Sequence, residues 1–153
     1  MREIELTQGK KALVDKEDYP EISKYKWFFL NRGYAARKSG GKLILMHRQL
    51  LGAIKGQISD HKNGDKLDNR RKNIRLCTHS QNMANFGPRQ GVKYRGVGQF
   101  TSSYRSKRKW QARIRIDGKE KVLGYFYSPT AAARAYNRAA KNYYKEFAYQ
   151  NKI

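Results

Sequence analysis

Asp60 and His61 stand side by side, Asn73 follows within a basic stretch, and Asn82 closes the run DHKNGDKLDNRRKNIRLCTHSQN. Those residue types, in that order, supply a metal-binding carboxylate, an imidazole base, a loop-fixing amide and a second oxygen ligand. Phosphodiester hydrolysis uses such a set. A neutral His61, with an ordinary pKa near 6.5, takes a proton from an attacking water. Asp60 and Asn82 together leave most positions around one cation to phosphate oxygens and water, which suits Mg²⁺ or Mn²⁺. The cation stabilises charge on phosphorus and on the departing 3′ oxygen. Arg75 and His79 are second-line candidates for contacting the phosphate. His79 also reads as a helix-end residue, and His47, beside apolar Met46, as a packing residue.

Positioning these groups requires short strands and a helix. Ile58-Ser59-Asp60-His61 reads as a strand end, so Asp60 and His61 point to opposite faces. Lys62-Asn63-Gly64-Asp65 is turn chemistry, and Asn73 would bridge the loop it opens and hold the His61 backbone. Asn73-Ile74-Arg75-Leu76-Cys77 alternates as a second strand. Thr78-His79-Ser80-Gln81 fits a capping box for a short helix, with Asn82 in its first turn. Upstream, Ala12–Asp15, Tyr25–Leu30, Tyr34–Arg37 and Lys42–Met46 read as β segments, with Ser39-Gly40-Gly41 as a hairpin turn. His47–Leu51 begins a short helix that stops at Gly52. Residues 1–58 are thus expected to form a small, mainly antiparallel sheet.

The chain has 153 residues, 34 Lys+Arg against 12 Asp+Glu, and a net charge of +22. Solubility alone needs a magnitude of about 2–8 in a small domain, so nucleic acid is the natural counter-charge. An anionic membrane would favour a basic amphipathic helix with a Leu/Phe/Trp face; the last helix carries mostly Ala and Tyr. The single cysteine, Cys77, excludes an internal disulfide and a Cys-rich zinc site. No apolar run resembles a signal peptide or a membrane span, and a reducing cytoplasm, or a nucleus, is the expected setting. No protein partner is evident.

The catalytic run resembles the HNH endonuclease family, in the HNN variant of phage and intron-encoded homing endonucleases. Asp60-His61, Asn63-Gly64, Asn69, Asn73, Arg75-Leu76 and Ser80-Gln81-Asn82 carry the match, with Met46-His47-Arg48 upstream. The resemblance implies a ββα-metal fold over about 58–86, with Asp60 and Asn82 as metal ligands and His61 as general base. Asn82 stands where many members have a second His, which weakens transition-metal affinity and favours Mg²⁺. The host cell's cytoplasm is then the expected site of action.

Phe86-Gly87-Pro88-Arg89-Gln90-Gly91 cannot continue a helix, and a boundary placed there gives domains 1–88 and 89–153. The first holds 18 Lys+Arg and 9 Asp+Glu, net +9; the second holds 16 and 3, net +13. In the second, Trp110–Ile116 alternates cleanly, setting Trp110, Ala112, Ile114 and Ile116 against Gln111, Arg113 and Arg115. Asp117-Gly118 is a two-residue turn, Lys121–Phe126 pairs back, and an Ala-rich helix starts at Ser128-Pro129 or at Thr130. The fold class is α+β: an antiparallel N-terminal part, then a three-stranded antiparallel sheet packed on one helix.

Residues 94–151 resemble the AP2 DNA-binding domain through Tyr94-Arg95-Gly96-Val97, Trp110, Ala112, Ile114, Leu123-Gly124, Phe126, Ala132-Ala133, Ala135-Tyr136, Ala139-Ala140 and Asn151. The resemblance implies a sheet laid in the major groove of double-stranded DNA. Arg113 and Arg115 are the best base-reading candidates, with Lys109 close by. Arg95, Arg105, Lys107, Arg108, Lys119 and Lys121 are expected at phosphates. Gly98 and Arg113 depart from the plant members, so the bound sequence cannot be borrowed from them. The leading expectation is a site-specific homing-type DNA endonuclease that leaves 5′-phosphate and 3′-hydroxyl ends. Its rivals are a non-catalytic DNA-binding regulator and a binder of structured RNA.

Overall fold

The computed structural model describes residues 1–100 and 109–153, a mixed α/β chain of small antiparallel sheets. It divides into two compact units, Met1–Thr78 and His79–Ile153.

In the first unit, β1 (Arg2–Glu5) pairs with β2 (Lys11–Val14), placing Ile4 opposite Ala12. β1 was not expected, because Ile4 is the only apolar residue in its four. A short helix, α1 (Tyr19–Ile22), follows. β3 (Phe28–Leu30), β4 (Tyr34–Ser39) and β5 (Lys42–Leu45) then form a separate antiparallel sheet. The expected single N-terminal sheet is therefore two. Gly40 and Gly41 both take positive φ, 54° and 73°, at the β4–β5 turn, the backbone a tight two-residue hairpin demands. Met46, expected at the end of a strand, instead opens α2 (Met46–Leu50). β6 (Ile58–His61) and β7 (Ile74–Cys77) complete the unit as an antiparallel pair.

The core of this unit gathers Ile4, Leu6, Ala12, Val14, Ile22, Trp27, Ala35 and Met46. Trp27 contributes a large ring and satisfies its indole by donating to the Ile22 carbonyl at 2.8 Å. Leu67, from the long β6–β7 loop, packs against the same cluster. That contact ties the loop bearing the candidate chemistry to the core.

The second unit begins with α3 (His79–Asn85). The units thus divide before this helix, and the Phe86–Gly91 seam lies inside the second unit. The reason is visible at the end of α3. The Tyr149 amide donates to the Ala84 carbonyl at 3.0 Å, and the Arg95 guanidinium reaches the carbonyls of Met83, Ala84 and Phe86. β8 (Val97–Gln99), β9 (Trp110–Ile116) and β10 (Lys119–Phe126) form an antiparallel sheet in the order β10-β9-β8. Asp117 and Gly118 make its turn with φ of 49° and 77°. α4 (Pro129–Tyr144) lies against this sheet. Ser128 is its N-cap, accepting from the Ala131 amide at 3.2 Å with Pro129 in the first turn, which settles where the helix starts.

Small side chains let helix and sheet approach closely. Ala132, Ala135 and Ala140 of α4 meet Ala112 and Ile114 of β9. Tyr136 is the large exception, buried between Ile114 and Ala140. Among the described residues, no helix is long and apolar enough to cross a membrane.

Candidate active site

The β6–β7 pair sets Asp60 opposite Arg75 and His61 opposite Ile74. Asp60 and His61 are both buried, 8 % and 5 % exposed. Two adjacent buried polar residues need partners, since an unpaired one would cost several kcal/mol or more. Asp60 receives Arg75 through Nε at 3.1 Å and Nη2 at 2.8 Å, both on Oδ2. The pairing follows from the register and explains why Arg75, an unusual residue for a buried strand, is tolerated there. Arg75, expected at a phosphate, is itself buried and directed at Asp60.

His61 has different neighbours. Its Nε2 lies 3.5 Å from Oδ1 of Asn69. Its ring meets His47 edge-on at 4.6 Å and Tyr34 at 6.0 Å. Burial pushes the His61 imidazole below its ordinary 6.5, against the pull of Asn69 and the nearby carboxylates in the other direction. The neutral form that a general base requires is therefore favoured. His47 is 3 % exposed and is pushed down to about 3, first by burial and then by His61 and Arg48. Its Nδ1 is buried without a hydrogen-bond partner among the described residues. Tyr34, His47 and Asn69 were not among the site residues expected. Only tertiary packing of α2 and β4 against β6 brings the first two to His61.

Asn73 spans the loop that follows His61. Its Oδ1 accepts from the Asn63 amide at 3.0 Å and its Nδ2 donates to the Asp68 carbonyl at 2.7 Å. Its own carbonyl accepts from the Lys62 amide at 2.8 Å. Asn63 also donates to Asp68 Oδ2, and Arg70 grips both oxygens of Asp68 at 2.6 Å. The Arg70 bonds hold the Asp68 carboxyl below its usual range. The loop is stitched to the rest of the unit as well. Leu13 exchanges backbone bonds with Leu67 and Asn69, both at 2.8 Å, and Arg71 pairs with Asp18.

A hard divalent cation fits the donor chemistry present. Among the described residues, no group of three or more His, Cys, Asp or Glu is placed to hold a metal ion. Asp60 offers oxygen, and a carboxylate carries about four lone-pair sites, so the Arg75 pair alone does not exhaust it. Asn82 is half-buried and His79 exposed, both on α3 in the second unit.

A family model described as HNH endonuclease matches residues 44–84, a span that holds His47, Asp60, His61, Asn69, Asn73 and Arg75 but not Tyr34. An HNH endonuclease of Acanthamoeba polyphaga mimivirus, described as uncharacterised, is 30 % identical over 151 residues, covering 95 % of this chain and 77 % of its own length. The chain belongs to the HNH endonuclease family. Membership implies a nuclease that acts on DNA. No solved structure matches the chain.

In this HNH endonuclease the other residues expected to contact DNA belong to the second unit. Register places Gln111, Arg113 and Arg115 on the sheet face away from the buried Ala112 and Ile114. Arg113 and Arg115 are exposed, as is Lys109 before the strand. Arg113 makes a loose pair with Glu120 at 3.4 Å, both about half exposed. Lys119 and Lys121 face Ile116 and Ile114 across the ladder, on the helix side, and Lys121 donates to the Tyr143 hydroxyl at 3.2 Å. Arg95, also expected at a phosphate, directs its guanidinium at the end of α3. Arg105, Lys107 and Arg108 lie outside the described residues.

Proposed function

We propose that this HNH endonuclease is a site-directed, homing-type, metal-dependent DNA endonuclease. Residues 1–88 cut and residues 89–153 choose the site. The observation that carries this reading is the consecutive, buried Asp60-His61 pair, each member with its own polar partner at the mouth of a loop braced by Asn73. His61 takes the proton from the attacking water. Asp60 and, from the order of the motif, Asn82 would hold Mg²⁺ or Mn²⁺. When bound, such a cation supplies charge stabilisation at the scissile phosphate and the 3′ leaving oxygen. Arg75 orients Asp60, and the products carry 5′-phosphate and 3′-hydroxyl ends.

Recognition is assigned to an AP2-like module. What supports this is an antiparallel sheet backed by one helix, with an outward face bearing Arg113 and Arg115. Arg is the commonest bidentate reader of guanine in the major groove. The test is cleavage of supercoiled plasmid carrying candidate sites, with Mg²⁺ or with EDTA, beside His61→Ala. Relaxation that needs both the cation and His61 is expected. Binding to a cognate site with no cleavage would instead indicate a DNA-binding regulator.

A further inference from the structure

Gln111 shares the outward face of β9 with Arg113 and Arg115 and is the uncharged member of that row. It is half-buried, with Gly98 of β8 opposite it on one side and Tyr125 of β10 on the other. Its Nε2 donates to the Tyr125 hydroxyl at 3.2 Å. The Tyr125 ring packs in turn against Phe100, with centroids 4.4 Å apart. Phe100 is tied to the ladder, its amide donating to the Lys109 carbonyl at 2.8 Å. Gly98 has no side chain to cover the Gln111 amide, and a Cβ there would lie 3.5 Å from the Arg113 guanidinium. The amide is therefore oriented from the β10 side and left uncovered by β8.

A primary amide carries two N–H donors and a carbonyl oxygen with two lone pairs. The tyrosine hydroxyl occupies one of these. It can donate or accept, so turning the amide over still leaves a donor and an acceptor side by side. In the major groove adenine presents its N7 acceptor beside its N6 donor, and a Gln amide meets both at once. Cytosine offers a donor alone there, and thymine an acceptor and a methyl group. Guanine shows two acceptors, the pattern that Arg113 suits.

We propose that Gln111, held by Tyr125, is a specificity-determining residue that selects an adenine in the major groove. The proposal rests on the outward face of β9 being the reading face. Side chains two apart on a strand are separated by about 7 Å, and successive bases of one DNA strand rise by about 3.4 Å. Where β9 follows the groove, this adenine lies about two base pairs from the position that Arg113 reads.

Selection from a randomised duplex library with the full chain, with EDTA present to hold back cleavage, tests this. One position of the selected site is expected to be adenine, about two base pairs from the base whose preference Arg113→Ala relaxes. Gln111→Ala is expected to make that position degenerate and to weaken binding to the selected site about 5- to 150-fold, the range of one bidentate contact. Putting 7-deazaadenine there removes the N7 acceptor. It is expected to weaken the unaltered protein and to leave Gln111→Ala unaffected, which a merely structural role for Gln111 would not give. Gln111→Arg is expected to move the preference to guanine. The same selected bases for Gln111→Ala as for the unaltered protein overturn the proposal, as does an equal loss on 7-deazaadenine in both. An adenine preference unchanged in Tyr125→Phe overturns the part given to the hydroxyl. If Arg113→Ala leaves the site unaltered, the reading face itself falls and the proposal with it. If Arg113→Ala alters the site and Gln111→Ala does not, the adenine assignment alone falls.

Discussion

Arg75 and Asp60 show how little freedom the chemistry at β6 has. Each is the other's partner across the ladder, and both side chains are about nine-tenths buried. Removing one takes the ion-pair partner from a buried charge. Arg75→Leu is expected to cost about 3–5 kcal/mol of stability, read from the denaturant midpoint, and to disorder the carboxylate proposed to hold the cation. His47 makes a second prediction. Its folded pKa is depressed to about 3 from 6.5, so its contribution is fully present above pH 6.5 and is lost as pH falls toward 3. That loss is on the order of 4 kcal/mol. Unfolding followed at pH 7 and at pH 4 should show a smaller acid-side loss in His47→Leu than in the unaltered protein. A loss of equal size in both would mean that His47 is not buried neutral.

The short elements hold together through few, specific contacts. Gly96, just before β8, has a φ of 72°, and a Cβ built there would overlap the Tyr136 ring and the Arg113 carbonyl. Both the backbone and the space require glycine. Gly96→Ala should therefore lower the melting temperature and cost at least about 2 kcal/mol. Asn151 plays a comparable part near the C-terminal end. Its amide bonds both the N–H and the C=O of Arg95, while its own backbone is held by Asn137. Asn151→Ala is expected to cost about 1–3 kcal/mol, measured by urea unfolding. These elements differ in how readable they were. The period-2 pattern of Trp110–Ile116 and the Asp117-Gly118 turn announce their hairpin, because side chains alternate strictly between a buried and a wet face. β1 and α1 give no such signal, since each offers one buried residue and owes its place to the core that forms around it.

Across the whole molecule, charge governs the encounter with DNA. A chain of net +22 releases counterions as it neutralises phosphates, so affinity should fall steeply and linearly in log–log form with salt. Binding titrations between about 50 and 200 mM salt check the slope. Arg113→Ala should relax sequence preference and leave the slope nearly unchanged. Lys107→Ala should weaken binding on all sequences and reduce the slope by about one. If Arg113→Ala left the preferred site unaltered, the outward face of β9 would not be the reading face.

Residue order and type were enough to point to a nuclease of the HNH family, because hydrolysis of a phosphodiester needs few groups and the strand–loop–strand–helix order limits where they stand. They placed Asp60, His61 and Asn73 in one motif and separated the two faces of β9. Partners distant in sequence were another matter. That Arg75 is turned to Asp60, that Arg95 is turned to the end of α3, and that Lys121 lies on the helix side depend on register and burial. A positive charge reads the same in sequence whether it meets a phosphate or a carbonyl. His47 and Tyr34 reach His61 from elements far upstream, and Asn69 is held by Leu13 as firmly as by its own loop. Local sequence carries periodicity and turn chemistry; which buried amide faces which ring is settled only when the core closes over both.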